Sequence, residues 1–460
     1  MSSPTDTPHV PSAGSPAAPS LAKSLGIGAC TAIVVGNMVG SGFYLSPSAM
    51  APYGILAILS WVVMGAGAIC LGLTFARLSR ISPATGGPYA YSRIGYGDFA
   101  GFLVAWGYWI SIWASLPAIA VAFTGSLFKF VPSFQGNRPM AVIITIGVMW
   151  LIVFTNLRGV KAAGVVAEVT TYSKLVPFAA ISLIGLFFIK RGNLSEFNPS
   201  GHSFLASAAT LAPLTMFAYL GLESATVPAG DVKDPARTIP RSTILGVSIA
   251  ALLYVLGTAV VLGVVPREEL VKSAAPFADA ARIMWGGWAA VIVGVAVMIS
   301  SLGALTGWTL LMGQVPMAAA KDRLFPALFG RVSSRGVPAF GIIFSAILAT
   351  ALILVQASGS GGFSAFYSLV VNLATMTAVV PYAFCALSVG LVAARAAGNG
   401  KVPKVSVVEW IAFVFALFTL YGCGAEAVLY GFVLLMLGIP VYVWQVRQQS
   451  AAAEEGSRVV

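Results

Sequence analysis

The chain has 460 residues, of which 58% are hydrophobic and only 9% are charged, and its mean hydropathy is +0.90. This composition excludes a soluble globular protein and predicts an all-α integral membrane protein. The formal net charge of +11 does not indicate a nucleic-acid partner, because the basic residues are distributed as membrane topology requires.

Twelve apolar stretches predict 12 transmembrane helices, since most of them approach the roughly 20 residues that a helix needs to cross the hydrocarbon core. They lie at about 27–54, 55–77, 99–128, 140–156, 164–189, 206–229, 242–266, 288–317, 338–357, 363–393, 407–422 and 425–446. Of the 26 Lys and Arg residues, 18 fall on the side of the N-terminus and seven on the opposite side. Positive residues prefer the cytoplasmic side, so we expect a multi-pass protein of the cell inner (plasma) membrane with both termini in the cytoplasm.

Three glycines, an Asn and a Ser interrupt the first predicted helix, in the segment Gly36-Asn-Met-Val-Gly-Ser-Gly42. Irregular backbone at this depth is tolerated only where it is buried in protein or lines a watery cavity. N–H groups near Ser41 and Gly42 suit a carboxylate, and carbonyls near Gly36–Met38 suit an ammonium. The break therefore favours a site for the backbone of an α-amino acid over the alternative, a glycine-rich packing face between helices.

A second break interrupts the sixth helix near Gly221, in Phe217-Ala-Tyr-Leu-Gly-Leu-Glu-Ser. Interrupted helices at corresponding positions of two halves predict an inverted-repeat transporter with its substrate between the breaks. We therefore expect a five-plus-five inverted repeat (LeuT-like) with broken helices 1 and 6. The expected organisation is a disordered cytoplasmic tail over 1–22, a transport core over 23–395, peripheral helices 11 and 12 over 396–447, and a cytoplasmic tail over 448–460.

Two ionisable residues lie deep inside predicted spans, where a charge is costly and is a functional hypothesis by default. Glu223, beside the second break, either carries a proton or is satisfied by donors of the unwound segment and holds its shape. Lys174 lies about ten residues into the fifth span, too deep for its stem to reach the surface easily. It is either an ionic element of the mechanism or a fixed pin on carbonyls at a helix end.

Three aromatic residues stand out by position: Phe217 at the second break, Trp308 in span 8 and Tyr108 in span 3. An aromatic ring beside a broken helix can close over a solute or stack on a cation, whereas the alternative for each is core packing. The four cysteines all fall in predicted spans without metal-type spacing, so we expect no disulfide, metal site or cofactor. No catalytic constellation appears, and we expect no enzyme.

Six motifs occur in order between about residues 24 and 446. They are Gly36-Asn-Met-Val-Gly-Ser-Gly42, Gly86-Gly-Pro-Tyr-Ala-Tyr91, Gly221-Leu-Glu-Ser-Ala225, Asp231–Arg241, Ala275-Pro-Phe-Ala-Asp279 and Gly307-Trp-Thr-Leu-Leu-Met-Gly-Gln314. Together they resemble the amino acid–polyamine–organocation (APC) superfamily, and most closely its basic amino acid/polyamine antiporters of the arginine/agmatine type.

The resemblance implies a substrate carboxylate on Ser41 and Gly42, and an α-amino group on carbonyls of the two breaks. Those carbonyls belong to Met38, Phe217 and Leu220. We also expect Asn37, in the first break, to bind the substrate.

The resemblance further implies Trp308 as a middle gate, Tyr108 as an outer gate partner and Glu223 as a proton-coupling residue. Lys174 resembles a fifth-helix lysine of other superfamily members that stands where sodium-coupled relatives bind a cation. That similarity implies sodium-independent transport, with Lys174 as a second candidate for proton coupling.

Three positions depart from the arginine exchanger type. Phe217 occupies the position of a Trp on the sixth helix. Leu116 occupies the position of an Asn on the third helix that contacts the guanidinium, and Ala374 that of a Ser on the tenth. The side-chain end of the site has thus lost polar groups, which makes a smaller or more apolar solute an alternative.

The sequence therefore predicts a sodium-independent amino acid transporter, an exchanger of cationic amino acids or their amines that works by alternating access. One alternative is a proton-coupled or exchange transporter of neutral amino acids, and an alternative of another class is an amino acid sensor without net transport. The expected partners are an amino acid or polyamine substrate, membrane lipid and a second copy in a homodimer, with no nucleic acid.

Overall fold

The computed structural model describes residues 25–83, 86–134, 136–194, 196–227, 229–358, 363–398 and 401–458. In this part of the chain nearly all regular structure is helical, and one isolated parallel bridge joins Leu25 to Val232. The tail predicted over 1–22 lies outside the described residues.

Twelve principal helices carry the fold, and we number them in chain order. They are α1 Ile27–Met38, α2 Ile55–Ile81, α3 Asp98–Phe130, α4 Arg138–Leu157, α5 Val160–Ile184, α6 Phe204–Tyr219, α7 Pro235–Val264, α8 Gly287–Lys321, α9 Ala339–Ser358, α10 Phe363–Ala397, α11 Val407–Gly422 and α12 Gly424–Met436. Shorter α-helices span Ser41–Tyr44, Ser46–Met50, Pro88–Tyr96, Arg267–Leu270, Pro276–Trp285 and Ala327–Gly330, and a final helix runs over Gly438–Arg458. Turns of 3₁₀-helix lie at Ala51–Tyr53, Pro132–Phe134, Gly185–Phe188, Arg191–Leu194, Ser224–Thr226 and Ala229–Asp231.

Within the described residues, eight helices are long and apolar enough to cross a membrane. Four shorter apolar helices accompany them, at Ile27–Met38, Ser173–Phe188, Ala339–Val355 and Val407–Gly422. The first of these is short because the break at Gly40 ends it. Large apolar side chains such as Phe187, Val176 and Tyr421 are exposed on the outside of the bundle, which suits contact with lipid rather than with water.

The helix α3 lies at the centre of the bundle, and 89% of its most apolar 18-residue stretch is buried. The most extensive helix pairs are α2 with α7 and α3 with α8. Members of each pair lie five principal helices apart in the sequence.

Two short helices that precede α3 and α8 have the same construction. Pro88–Tyr96 and Pro276–Trp285 each begin at Pro, which suits the first helical position. Each ends at a Gly in a left-handed conformation, Gly97 with φ 94° and ψ −177° and Gly286 with φ 91° and ψ −175°. The next long helix then begins at the following residue, so α3 and α8 have matching entries.

The C-terminal end differs from the sequence prediction. The final helix Gly438–Arg458 continues past residue 447, where the sequence predicted the start of a tail. Its sequence there, Ala451-Ala-Ala-Glu-Glu, contains strong helix formers, so helix propensity extends the span beyond its apolar part.

Candidate functional site

The break in the first helix lies at Val39 and Gly40. The helix α1 ends at Met38, Val39 has φ −77° and ψ 89°, and Gly40 has φ −146° and ψ −149°. Helix resumes at Ser41, and its N–H groups at positions 43 and 44 donate to the Gly40 carbonyl at 3.0 and 3.2 Å. The Ser41 hydroxyl is buried and has no hydrogen-bond partner among the described residues, which is the condition expected of a group that meets a solute.

The break in the sixth helix follows Tyr219. Leu220 is extended with φ −60° and ψ 138°, and Gly221 has φ +96°, a conformation that other residues rarely adopt. The chain then turns through Ser224–Thr226 and does not continue α6. Phe217 and Leu220 are buried, with 7% and 1% of their surface exposed.

The two breaks contact each other directly. A Cβ atom added at Gly42 would lie 2.8 Å from the Ala218 Cα, and one added at Gly221 would lie 3.0 Å from the Asn37 Cβ. Backbone atoms of Ala218 leave no room for a side chain at Gly42, and at Gly221 a side chain would be strained by the positive φ and would press on the Asn37 side chain. The breaks predicted separately from the sequence therefore lie in direct contact.

Asn37 connects this site to α8. Its Nδ2 donates to the Ser224 hydroxyl at 2.8 Å, and the Trp308 Nε1 donates to the Asn37 carbonyl at 3.3 Å. A Cβ atom added at Gly307 would lie 2.2 Å from the Asn37 Oδ1. The Asn37 side chain is thus held between Gly221 of the second break and Gly307 of α8 and is engaged within the protein, whereas Met38, the next residue, is buried in the core.

Lys174 is fully buried and its ammonium lies against the first break. The Nζ atom donates to the carbonyls of Gly36 and Val39, both at 2.7 Å. The Val39 carbonyl also accepts from the Tyr44 hydroxyl at 3.2 Å and the Ser300 hydroxyl at 3.3 Å. One carbonyl of the break therefore joins α1, α5 and α8, and carbonyl dipoles compensate the buried charge.

Glu223 is also fully buried, and two phenols satisfy its carboxylate. The Tyr108 hydroxyl of α3 donates to Oε1 and the Tyr382 hydroxyl of α10 donates to Oε2. The Thr226 hydroxyl donates to the Glu223 carbonyl at 2.7 Å. Tyr382 is not among the site residues predicted from the sequence, although a buried carboxylate requires such donors. We call the side chains of Tyr108, Glu223 and Tyr382 the Tyr108–Glu223–Tyr382 cluster.

The positions expected at the side-chain end of the solute are apolar and buried. Leu116 of α3 and Ala374 of α10 are fully buried. The hydroxyls of Ser111 and Ser115, which share α3 with Leu116, donate to carbonyls of their own helix at 2.7 and 2.6 Å. Leu116 and Ala374 carry no polar group that could accept from a guanidinium, and each of the two serines uses its single hydroxyl proton within its own helix.

Comparison with known proteins finds a family and several relatives that this chain resembles. A family described as amino acid permease matches residues 25–442. The putrescine transporter PotE of Escherichia coli is 30% identical over 430 residues, which are 92% of this chain and 97% of that protein. Its counterpart in Haemophilus influenzae is 31% identical over 91% of this chain and 96% of that protein. The cadaverine/lysine antiporter of Escherichia coli is 32% identical over 79% of this chain and 82% of that protein.

Proposed function

We propose that this chain, which belongs to the amino acid permease family, is a sodium-independent exchanger of amino acids or their amines in the inner membrane. The observation that carries the proposal is the contact of the two helix breaks, Gly42 against Ala218 and Gly221 against Asn37. The names of its relatives, a putrescine transporter and a cadaverine/lysine antiporter, support an amino acid or amine as the solute.

We also propose the 12-span, five-plus-five inverted repeat with both termini cytoplasmic. The matching entries of α3 and α8 support it, as do the pairs α2–α7 and α3–α8. In such a repeat a break in α1 corresponds to a break in α6, and relative movement of the two halves exposes the site alternately to each side.

The proposed substrate contacts use backbone groups of both breaks. The first N–H groups of the helix that begins at Ser41 have no partner within that helix, and with the unpartnered Ser41 hydroxyl they suit a carboxylate. Carbonyls of Met38, Phe217 and Leu220 suit the α-amino group. Because Trp308 donates to the first break, we propose that its indole moves with the substrate and acts as a gate.

The Tyr108–Glu223–Tyr382 cluster joins α3, α6 and α10, and we propose that it closes the inner path. Tyr108 lies ten residues into α3, which begins at Asp98. At a rise of about 1.5 Å per residue, this is roughly 15 Å from the cytoplasmic end in the proposed topology. In the proposed topology the sixth span runs from the outer side to the cytoplasmic side, and Glu223 follows its break, so we propose a cytoplasmic position for the cluster in place of the outer one expected for Tyr108. Protonation of Glu223 would weaken its bonds to both phenols, which links gate opening to proton coupling.

Lys174 places an ammonium group against the first break, and we propose that it replaces a sodium ion there. Its two bonds to the Gly36 and Val39 carbonyls occupy the acceptors that a hard cation would use. Transport should therefore need no sodium.

A neutral amino acid is the second candidate substrate, and the buried Leu116 and Ala374 favour it. Competition of unlabelled solutes against labelled uptake into proteoliposomes tests the two candidates. The panel should contain lysine, arginine, ornithine, putrescine, cadaverine, agmatine, alanine and leucine. Strong competition by the cationic compounds supports the amine exchanger, and competition by alanine and leucine alone supports the neutral alternative.

A further inference from the structure

A basic surface follows α8, in the segment 321–340 that connects it to α9. The segment contains four basic residues and one acidic residue. The basic residues, all exposed, are Lys321, Arg323, Arg331 and Arg335. None of the ion pairs found among the described residues includes any of the four. We call these four residues the basic patch.

The single carboxylate of the segment is already used elsewhere. Asp322 Oδ2 accepts from the Tyr89 hydroxyl at 2.6 Å and from the Arg93 guanidinium at 2.9 Å. Burial and the Asp322 carboxylate raise the pKa of the Tyr89 phenol, so the phenol remains a donor. The positive charge of the basic patch is therefore not neutralised from within its own segment.

Packing and a turn hold parts of the segment that carries the basic patch. A Cβ atom added at Gly330 would lie 3.4 Å from the Ala320 Cβ, so the helix Ala327–Gly330 packs on the end of α8. Arg331 and Lys321 are the residues that follow Gly330 and Ala320 in the sequence. A tight turn, in which the Gly336 N–H donates to the Ser333 carbonyl at 2.9 Å, holds Arg335 in an exposed position.

Buried aromatic residues fix the inner side of the segment. Phe325 packs against Trp106 and Trp109 of α3 with ring centroids 5.6 and 6.1 Å apart. Phe329 packs against Trp109 and Phe344 at 5.6 and 6.0 Å. The basic patch thus has a defined position at the end of the bundle rather than on a freely moving loop.

Exposed apolar side chains lie in the same segment as the basic patch. Leu328 is 44% exposed, Val332 is 53% exposed and Phe340, at the start of α9, is 39% exposed. Exposed apolar groups next to unpaired cations, at the end of two membrane helices, match the two chemical parts of a phospholipid. In the proposed topology this surface faces the cytoplasmic leaflet, where such basic clusters attract anionic lipids.

We propose that the basic patch, with Leu328 and Val332, binds the headgroup and upper acyl chains of an anionic phospholipid. The anionic phosphodiester lies between the Lys and Arg side chains, and the acyl chains lie along Leu328 and Val332. Arg suits this role because its guanidinium binds phosphate oxygens in a bidentate manner.

Native mass spectrometry of the detergent-solubilised full chain tests this proposal without depending on transport. The probes are phosphatidylglycerol and phosphatidylcholine of identical acyl chains, titrated separately. Wild-type protein should retain phosphatidylglycerol about 30-fold more tightly than the double variant Arg331→Gln/Arg335→Gln. This factor corresponds to about 1 kcal/mol for each basic residue removed.

Two control variants accompany the double variant. One keeps the positive charge at positions 331 and 335, and the other removes two cations elsewhere to measure nonspecific attraction of the lipid. Arg331→Lys/Arg335→Lys keeps the charge but not the bidentate geometry, and its affinity should lie between those of the wild type and the Gln variant. Lys190→Gln/Arg191→Gln removes two exposed cations near the exposed Phe187, on the opposite side in the proposed topology, and should leave the affinity unchanged.

Three results would overturn the proposal. They are equal retention of the two lipids by the wild type, equal retention of phosphatidylglycerol by Arg331→Gln/Arg335→Gln, and an equal loss in the Lys190→Gln/Arg191→Gln control. Inorganic phosphate at the lipid's concentration should not displace the lipid. Its displacement of the lipid would assign the site to a soluble anion instead.

Discussion

Lys174 offers the sharpest test of how the first break is held. Its ammonium makes two bonds of 2.7 Å to the Gly36 and Val39 carbonyls. Hydrogen bonds to charged groups contribute roughly 1.5–3 kcal/mol each, so together they contribute about 3–6 kcal/mol before the cost of burying the charge is subtracted. That range corresponds to a change of about 10²- to 10⁴-fold in the population of the conformation that they stabilise.

The substitution Lys174→Met keeps the length of the side chain and removes its donors. We expect initial uptake into proteoliposomes to fall at least 100-fold, because the two ends of the break are no longer tied to α5. Ser300→Ala is the graded control, since it removes one neutral donor to the Val39 carbonyl and should cost about tenfold or less.

Folding of each variant is checked by its elution as a single species and by its thermal unfolding midpoint. Wild-type uptake should be the same when choline replaces sodium. A folded Lys174→Met protein with wild-type uptake would refute the role of the ammonium, and sodium-dependent uptake by the wild type would refute the replacement of the ion.

Three further predictions concern the site itself. Gly42→Val should abolish substrate binding measured by calorimetry, because its side chain would meet the Ala218 backbone and the place of the carboxylate; retained affinity in a folded variant would contradict this. Leu116→Asn should raise arginine or agmatine affinity relative to neutral amino acids in the competition assay, because it adds a hydrogen-bonding group; a strong wild-type preference for arginine over alanine would show the reasoning to be wrong. Glu223→Gln should flatten the dependence of uptake on pH, because the amide keeps the shape and cannot titrate; an unaltered profile would leave Lys174 as the proton carrier.

The two breaks could be predicted from the sequence because they violate a local rule. A helix in lipid must satisfy its own backbone groups, and clusters of Gly, Ser and Asn inside an apolar stretch conflict with that requirement. Glu223 and Lys174 were visible for the same reason, since a charged residue in a span is costly. Each signal is contained in a few neighbouring residues, so no knowledge of the fold was needed to detect it.

The partners of these residues could not be found in this way. Tyr382 lies 159 positions from Glu223, and Ser224 lies 187 positions from Asn37. Hydroxyl-bearing residues are common in apolar helices and usually bond to their own backbone, as Ser111 and Ser115 do. Only the packing of the helices determines which hydroxyl lies against the Glu223 carboxylate and which against the Asn37 amide.

Counterflow in proteoliposomes tests the central claim most directly. Vesicles loaded with unlabelled lysine or putrescine are diluted into sodium-free buffer that contains a trace of the labelled compound, and empty vesicles serve as the reference. An exchanger of amino acids or amines should accumulate label in the loaded vesicles and very little in the empty ones, without sodium. Equal accumulation in loaded and empty vesicles, or accumulation only when sodium is present, would contradict the account.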